Sequence, residues 1–307
     1  MDLNQITQDM LNVIDSYGFK QEGAYNLRYN GSALCHGDSE NIKIVKKEDK
    51  AGIDIFISSN AQGETVHIPV VVTDSDFTDI VYNDFYVEDG ADVVIIAGCG
   101  IHNDGCGDSQ HNGIHSFHIG KNAKVKYEEK HYGTGLGTGK RVLNPATVME
   151  IGENSVFTMD TAQIKGVDST MRTTTVRLKE GARLVVTERL MTHLDQVAVS
   201  DMTVELLGEG SSAQIISRSV AKGNSVQKFH PIAVGNCKCQ AHIQCDSIIM
   251  DKAKVTSIPQ IDANDVDAAI IHEAAIGRIN NEQLTKLRTL GMTEQQAEEV
   301  IIENFLN

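Results

Sequence analysis

Hydrophobic positions along the chain change their period as the sequence proceeds. Between residues 3 and 17 apolar residues recur at helical spacing, which predicts an amphipathic helix that Gly18 ends. Its apolar positions are Leu3, Ile6, Met10, Val13 and Ile14. From about residue 40 apolar and polar residues alternate, as in Ile42–Val45 and Ile53–Ile57, which predicts β-strands. We expect the helix to pack on the β body; a free docking helix is the alternative.

A short turn recurs through the β region. Polar or glycine positions precede an alanine or serine, and an apolar residue follows two positions later. The small residue stands at Ala91, Ala123, Ser155 and Ala182, with further copies at Ser211 and Ala253. The first four are 32, 32 and 27 residues apart, and self-similarity at such a period is typical of a solenoid. Strand-and-turn content favours a parallel β-helix, with a β-sandwich of long hairpins as the alternative.

The C-terminal segment returns to helical spacing. Asn281 to Leu290 is predicted to be helical and Gly291 to end that helix, while Thr293 begins a second helix with Gln296 placed for a capping box. This helical hairpin is either a cap on the last coil or a partner-docking module. We therefore predict an N-terminal helical segment over 1–40, a β-helix core over 41–279 and a C-terminal helical segment over 280–307.

Composition and charge narrow the class of function. The chain has 307 residues and a formal net charge of −15, so it lacks the broad basic face that binds nucleic acid, and an anionic membrane surface would repel it. The start of the sequence does not have the pattern of a signal peptide, and no apolar run is long enough to cross a bilayer. We expect a cytoplasmic protein whose six cysteines are reduced thiols and hence candidate ligands or nucleophiles.

Three cysteines form the strongest local pattern. If residues 237–245 are one strand, Cys237, Cys239 and Cys245 all face the interior, because side chains alternate along a strand. We interpret Cys237 and Cys239 as small buried residues. Cys245 ends that strand beside Asp246, and we predict that its thiol emerges at a surface or an interface.

Two further groups contain candidate metal ligands. His272 and Glu273 are adjacent, and imidazole and carboxylate both bind iron and zinc, although a solvated surface pair is the alternative. Two Cys, four His and two Asp fall between Cys99 and His118, with Cys99 and Cys106 as the candidate thiol ligands. A glycine-rich loop between coils is the alternative there. Because the sequence lacks a Walker-type phosphate loop, a dinucleotide fingerprint and a nucleophile elbow, we do not expect it to be an enzyme.

The C-terminal third resembles the SufB/SufD family, the β-helical subunits of the SUF iron–sulfur assembly complex. The blocks that carry this resemblance are Cys245-Asp246-Ser247-Ile248-Ile249, Pro259 to Asn264, His272 to Ile279, Glu282-Gln283-Leu284 and Gly291-Met292-Thr293. Their order and spacing make the match specific, and it extends over about residues 85–307.

The resemblance implies a fold, a cargo and a set of ligands. It implies a right-handed parallel β-helix that dimerises, with a transiently bound iron–sulfur cluster near the interface. In SufB-type subunits the functional pair is the Cys of the Cys-Asp-Ser block and the Glu of the His-Glu-Ala block, here Cys245 and Glu273. SufD-type subunits usually have Gly where Glu273 stands and donate a His. This chain has both His272 and Glu273, so it is similar to the SufB side.

The resemblance also implies partners. The C-terminal segment is expected to dock on an ATPase subunit of the SufC type, whose turnover rearranges the β-helix dimer. The chain is shorter than SufB and resembles the compact form that pairs with itself, so we predict a homodimer that also meets a sulfur donor and client apo-proteins. Cys99 and Cys106 are candidate substitutes for the sulfur-accepting Cys of SufB. The alternatives are a SufD-like structural partner without a cluster, and a β-helical enzyme such as a carbohydrate lyase or an acyltransferase.

Overall fold

A computed structural model describes residues 4–15 and 23–306. The chain forms a parallel β-solenoid of about eight turns, with one N-terminal helix and two C-terminal helices. The prediction of a parallel β-helix is therefore confirmed, and a β-sandwich is excluded because nearly all neighbouring strands are parallel. None of the described helices is long and apolar enough to cross a membrane.

The elements follow in this order along the chain: α1 Gln5–Ile14, β1 Ala24–Tyr29, β2 Ser32–Gly37, β3 Ile42–Lys46, β4 Gly52–Ile57, β5 Gln62–Val72, β6 Phe77–Val87, β7 Asp92–His102, β8 Ser109–Ile119, β9 Lys124–Thr134, β10 Arg141–Leu143, β11 Ala146–Ile151, β12 Val156–Lys165, β13 Ser169–Leu178, β14 Arg183–Thr192, β15 Val197–Leu206, β16 Ser212–Ala221, β17 Val226–Gly235, β18 Gln240–Ile249, β19 Lys254–Ser257, β20 Gln260–Ala263, β21 Ala269–Gly277, α2 Asn281–Thr289 and α3 Glu294–Leu306.

These strands alternate between two sheets. Sheet A has the order β2-β1-β5-β7-β9-β12-β14-β16-β18-β21, and sheet B has the order β19-β17-β15-β13-β10-β8-β6-β4-β3, with β11 beside β13 and β8, and β20 beside β17. Each strand pairs with the strands one coil before and one coil after it. One side chain therefore stacks on its counterpart in every coil, and residues that point inward stay inward along the whole solenoid.

The recurring small residue lies at a corner that leads into sheet A. Ala91, Ala123, Ser155 and Ala182 are fully buried there, and each carbonyl accepts a hydrogen bond from the backbone one coil later, as from Lys124 N to Ala91 O at 2.8 Å. The residue before the corner has positive φ, as at Asn122, Asn154 and Gly181. Asparagine and glycine tolerate that conformation best, which explains the polar or glycine positions of the repeat.

The N-terminal end of the chain differs in detail from the sequence expectation. Helix α1 packs on the outside of sheet A through Thr7, Met10, Leu11 and Ile14, so packing on the body is confirmed, whereas Ile6 and Val13 are exposed. Leu3 and Gly18 lie outside the described residues. The predicted N-terminal helical segment over 1–40 is wrong for residues 24–37, which form the β1–β2 hairpin, and β1 joins sheet A beside β5. Two-residue alternation in Tyr25–Tyr29 was the overlooked signal.

The C-terminal helical hairpin has the predicted boundaries. Helix α2 ends before Gly291, which has φ of 96°, and Thr293 and Gln296 form the reciprocal capping box at the start of α3. Helix α3 packs on the side of the solenoid, where Ile302 and Leu306 contact the cluster around Val220 and Met250. The hairpin therefore does not cover the last coil.

The final coil is consequently open. Strands β19, β20 and β21 have no buried residue, and β21 and β19 each end their sheet. Several large apolar side chains are exposed on this coil: Ile258, Ile261, Val266, Ile271 and Ile276. An exposed sheet edge with unpaired backbone groups and apolar side chains is suited to pairing with another chain.

The corner ladder supplies a first test. Ala123→Leu adds three carbon atoms where successive coils are in backbone contact, so we expect the free energy of unfolding to fall by about 1–3 kcal/mol. The matched control is Lys124→Leu at the next, outward-facing position, which should change stability by less than about 0.5 kcal/mol. Chemical denaturation measures both, and equal effects of the two variants would contradict the corner model.

Candidate functional site: the Cys245–His272 pair at the open end

Cys245 lies in the middle of β18, one coil from the open end. Its side chain faces the interior and is 3% exposed, so the expectation that its thiol emerges at the end of a strand is wrong for this conformation. The strand begins at Gln240, and Cys237 and Cys239 belong to the preceding turn. Both are buried as predicted, and Cys239 O accepts from Ala269 N in the corner ladder.

The imidazole of His272 contacts this thiol. Strand β21 pairs with β18 so that His272 lies beside Ile243 and Ala274 beside Cys245. The small Ala274 leaves space next to the sulfur, and His272 Nε2 lies 3.2 Å from Cys245 Sγ. Thiol and imidazole therefore meet inside the last complete coil.

Burial controls the protonation of this pair. Desolvation raises the pKa of the Cys245 thiol to about 11, and it lowers the pKa of His272. At neutral pH the pair is thus a neutral thiol beside a neutral imidazole. A metal ion that binds the sulfur must displace its proton.

Glu273 lies on the opposite face of the same strand. Its side chain is 65% exposed, and its Oε2 lies 3.5 Å from Nε2 of His242, which is also on the outer face. The structure therefore brings Cys245 together with His272 but separates both from Glu273 by the thickness of the sheet. The contact between His242 and Glu273 was not predicted, although the place of His242 on the polar face of the Cys245 strand was the available signal.

A small interior cavity lies next to the side chain of Cys245. Its walls include Glu188, Ser217 and Ser247, and Glu188 accepts hydrogen bonds from Ser200 Oγ at 3.1 Å and Ser217 Oγ at 3.0 Å. In the inward ladder, Glu188, Ser217 and Cys245 follow one another on successive coils. The interior next to the thiol is therefore hydrogen-bonded and not purely apolar.

A profile of one protein family covers most of this fold, including the open end. The family described as "SUF system FeS cluster assembly, SufBD core domain" matches residues 72–305. The chain belongs to the SufBD family. The resemblance seen in the Cys-Asp-Ser and His-Glu-Ala blocks is thereby confirmed, and the family is one of iron–sulfur cluster assembly.

Several curated SufBD proteins are similar to this chain. An iron–sulfur cluster assembly SufBD family protein of Methanocaldococcus jannaschii is 29% identical over 243 residues, which cover 78% of this chain and 76% of that protein. One of Archaeoglobus fulgidus is 26% identical over 228 residues, covering 74% of this chain and 60% of the relative. SufB of Bacillus subtilis is 29% identical over 104 residues, 33% of this chain and 22% of SufB.

The lengths of these relatives matter for what the family implies. The matched region spans 57% and 55% of two SufBD proteins of Methanothermobacter thermautotrophicus, so this chain corresponds to little more than half of each. Activities that depend on the remainder of such proteins are therefore not implied for this chain by the match alone.

Charged pairs inside the solenoid were also missed from the sequence. Arg28 donates to both oxygens of Asp79, at 2.7 and 2.9 Å, and Arg172 donates to Glu129 at 2.5 Å; all four side chains are buried. Burial alone would raise the pKa of Asp79, but its hydrogen bonds with Arg28 and His111 outweigh that effect and hold it well below the usual range. Charged residues at inward positions of alternating strands were the signal.

The segment from Cys99 to His118 does not form one metal centre. It comprises the end of β7, the connecting loop and most of β8, and alternation divides its side chains between faces. Cys99 is buried, Cys106 is exposed on the connecting loop and His118 stacks on Tyr86 outside the solenoid. Among residues 4–15 and 23–306, no three Cys, His, Asp or Glu side chains are arranged to hold a metal ion. These Cys, His and Asp residues are therefore close in the sequence, but their side chains do not meet at one point in the structure.

Thiol reactivity tests the environment of Cys245. In the native protein at neutral pH, iodoacetamide should modify Cys106 at least on the order of 100-fold faster than Cys245, because Cys106 is exposed, whereas Cys245 is buried and its raised pKa keeps its thiol protonated. Mass-spectrometric mapping of a time course measures the ratio. After unfolding in denaturant the two rates should converge. Equal rates in the native protein would mean that Cys245 is accessible.

Proposed function

We propose that this SufBD chain is a scaffold subunit on which iron–sulfur clusters are built, with Cys245 as the principal cluster ligand. The contact between Cys245 Sγ and His272 Nε2, one coil from an uncovered end, is the observation that carries the proposal. Thiolate is a natural ligand for iron in clusters, and imidazole replaces it at some cluster irons. The cluster is cargo that the scaffold builds and then passes to a client apo-protein.

The three proposed ligands have different accessibility. Cys245 is enclosed, His272 is half-buried beside it and Glu273 is on the outer surface with His242. All three can bind one cluster only if β21 moves away from β18. Otherwise a partner must supply some of the ligands at the open end. We propose that the edge position of β21 allows this movement, since only one of its sides is paired to another strand.

The raised pKa of Cys245 suits transient binding. Iron competes with a proton for the buried sulfur, so cluster retention should weaken as pH falls and strengthen as pH rises toward 11. A site of mixed thiolate, imidazole and carboxylate ligands also holds a cluster less firmly than four thiolates. Both features favour release to a client.

The open end is the proposed dimer interface. Two copies that meet there around a twofold axis would cover the apolar side chains of the last coil and bring two Cys245–His272 pairs to one junction. The resemblance implies a dimer with cluster ligands at its interface, and the unpaired edge of β21 supports such an interface here.

The C-terminal hairpin is the proposed docking segment for an ATPase of the SufC type. Helix α3 is fixed to the solenoid, whereas α2 buries none of its residues and Leu290 beyond it is 78% exposed. ATP-driven movement of this hairpin would be transmitted through the α3 contact to the side of β16 and so to the neighbouring β18. The sulfur donor and the client proteins complete the proposed set of partners, and we place this work in the cytoplasm.

Anaerobic reconstitution with iron and sulfide tests the scaffold role. Wild-type protein should retain on the order of one cluster per dimer, and Cys245→Ala should retain at least about tenfold less, because the principal ligand is gone. Cys239→Ala is the matched control, since it removes a buried thiol at a corner position that alanine occupies in other coils. Iron and sulfide analysis after desalting gives the amounts.

The same assay separates the scaffold from a SufD-like structural partner. The burial and high pKa of Cys245 favour the SufD-like structural partner, because a buried, protonated thiol does not bind iron readily. A wild-type protein that binds the ATPase subunit but retains no more iron than Cys245→Ala would favour the partner and overturn the scaffold. His272→Ala and Glu273→Gln then rank the secondary ligands, and we expect the greater loss from His272→Ala because its imidazole already contacts the sulfur.

Oligomeric state tests the proposed interface. Ile271 is 56% exposed on β21, and Ile271→Lys should convert a dimer to a monomer, because a lysine cannot be buried unpaired between two copies. Met171→Lys is the control, since Met171 is equally exposed on β13, away from the open end. Light scattering coupled to size-exclusion chromatography measures the mass. A wild-type monomer, or a dimer that both variants preserve, would contradict this interface.

A further inference from the structure

The outer face of sheet A has a charge opposite to that of the protein as a whole. On β9, β12, β14 and β16 the outward positions hold seven basic residues but only two acidic ones, Glu128 and Asp160. The chain has 27 basic and 42 acidic residues in total, which leaves 20 and 40 elsewhere. We call the seven basic residues the basic patch: Lys124, Lys126, Lys130, Lys165, Arg183, Arg189 and Arg218.

More than half of the basic patch has no carboxylate partner within the protein. Three of its members form ion pairs: Lys124 with Asp92 at 3.8 Å, Lys126 with Glu128 at 2.6 Å, and Arg189 with Asp160. The other four make no ion pair with any residue that the structure describes: Lys130, Lys165, Arg183 and Arg218. The internal carboxylates therefore neutralise only part of this positive charge.

Two arginines of the basic patch lie side by side. The parallel register pairs Arg189 on β14 with Arg218 on β16, so their backbones are one strand spacing apart, about 4.8 Å. Only Arg189 has a carboxylate neighbour, and its Nε is buried without a hydrogen-bond acceptor. Like charges at this separation repel each other, and an unpaired buried donor is unfavourable. An anion bound beside the two guanidinium groups would reduce both penalties.

Lys130 extends this pair into a row across the sheet. The register places Lys130, Ala162, Arg189 and Arg218 beside one another on four successive strands of sheet A. The small side chain of Ala162 leaves the surface between Lys130 and Arg189 open. The row spans three strand spacings, about 14 Å, and an extended chain covers that distance with about five residues.

The helices on the outside of sheet A do not cover this row. Helix α1 packs against Gly98 and Gly100 on β7, where a Cβ would lie within 2.7 Å of the helix side chains. Helix α3 packs against Val220 at the end of β16. Between these two contacts Lys130, Arg189 and Arg218 remain partly exposed. A segment of another chain can therefore reach the row.

We propose that the basic patch is a docking surface for a short, carboxylate-rich segment of a partner protein. Charge complementarity supports an acidic partner, and the size of the patch favours a short segment over a nucleic acid. A long polyanion would extend beyond the patch onto a surface where acidic residues outnumber basic ones two to one, and it would be repelled there.

The size of the patch also sets the strength of the interaction. A contact of this area is small for a protein interface, so binding is weak and transient, and salt weakens it further. The basic patch shares no residue with the proposed cluster site, so this inference does not depend on the proposed function.

Fluorescence anisotropy with a fluorescein-labelled peptide of eight glutamates tests the docking surface. The full-length chain should bind the peptide at low salt and lose it as salt is raised. Lys130→Gln/Arg218→Gln should weaken binding at least about fivefold, because two exposed charge contacts are lost. Lys43→Gln/Lys228→Gln is the matched control, since it removes the same charge from exposed positions on sheet B and should leave the affinity nearly unchanged.

The substitutions themselves should not disturb the fold. Lys130 and Arg218 point outward and make no ion pair, so circular dichroism and the melting temperature should match those of the wild type. Failure of the wild type to bind the peptide at low salt, or equal losses from the two double variants, would overturn the inference. Tighter binding of an eight-nucleotide single-stranded DNA through the same two residues would also overturn it, because the patch would then recognise phosphates.

Discussion

The register between successive coils is the constraint on which the whole structure depends. Each coil repeats the hydrogen bonds of the previous one at the same corner, so a residue that faces inward in one coil has inward-facing neighbours in the next. That constraint places Glu188, Ser217 and Cys245 in one interior row and brings His272 to the sulfur. It also sends Glu273 to the outer face, although it is the next residue along the chain.

The sequence predicts the repeating coil but not the exact strand boundaries within it. Alternation and the spacing of Ala91, Ala123 and Ser155 were enough to predict stacked coils. A corner with no room for a large side chain requires a small residue in each coil, and that small residue recurs visibly in the sequence. The capping box of α3 could also be predicted, because it depends only on residues three positions apart. Alternation was applied to Cys237 and Cys239 as well, but the corner before Gln240 interrupts the strand there. A strand boundary of this kind is set by stacking on the neighbouring coils and not by local residue preference.

Contacts between side chains of different coils could not be predicted from the sequence. The partners Arg28 and Asp79 are 51 residues apart, and Glu129 and Arg172 are 43 apart, so only the register brings them together. The thiol–imidazole contact is of the same kind, 27 residues apart. The resemblance to the SufBD family identified Cys245, His272 and Glu273 as a group, but it did not indicate which of them share a face of the sheet.

The open end joins these observations into one mechanism. An enclosed, protonated thiol cannot take iron, yet it lies one coil from an edge whose strand has a single neighbour and whose apolar side chains have no cover. In the proposed function, a second copy would bind at this last coil, and movement of the C-terminal hairpin would reach it through β16 and β18. The same stacking that hides Cys245 therefore makes its exposure depend on one strand, and this arrangement suits the proposed scaffold, whose site would both build and release a cluster.

The position of iron in the reconstituted protein tests this mechanism most directly. Anomalous diffraction at the iron edge from crystals of the anaerobically loaded chain should place iron at the open end, bonded to Cys245 Sγ and next to His272 Nε2, at the contact between two copies. Iron bound elsewhere, with Cys245 still enclosed beneath an unmoved β21, would contradict it.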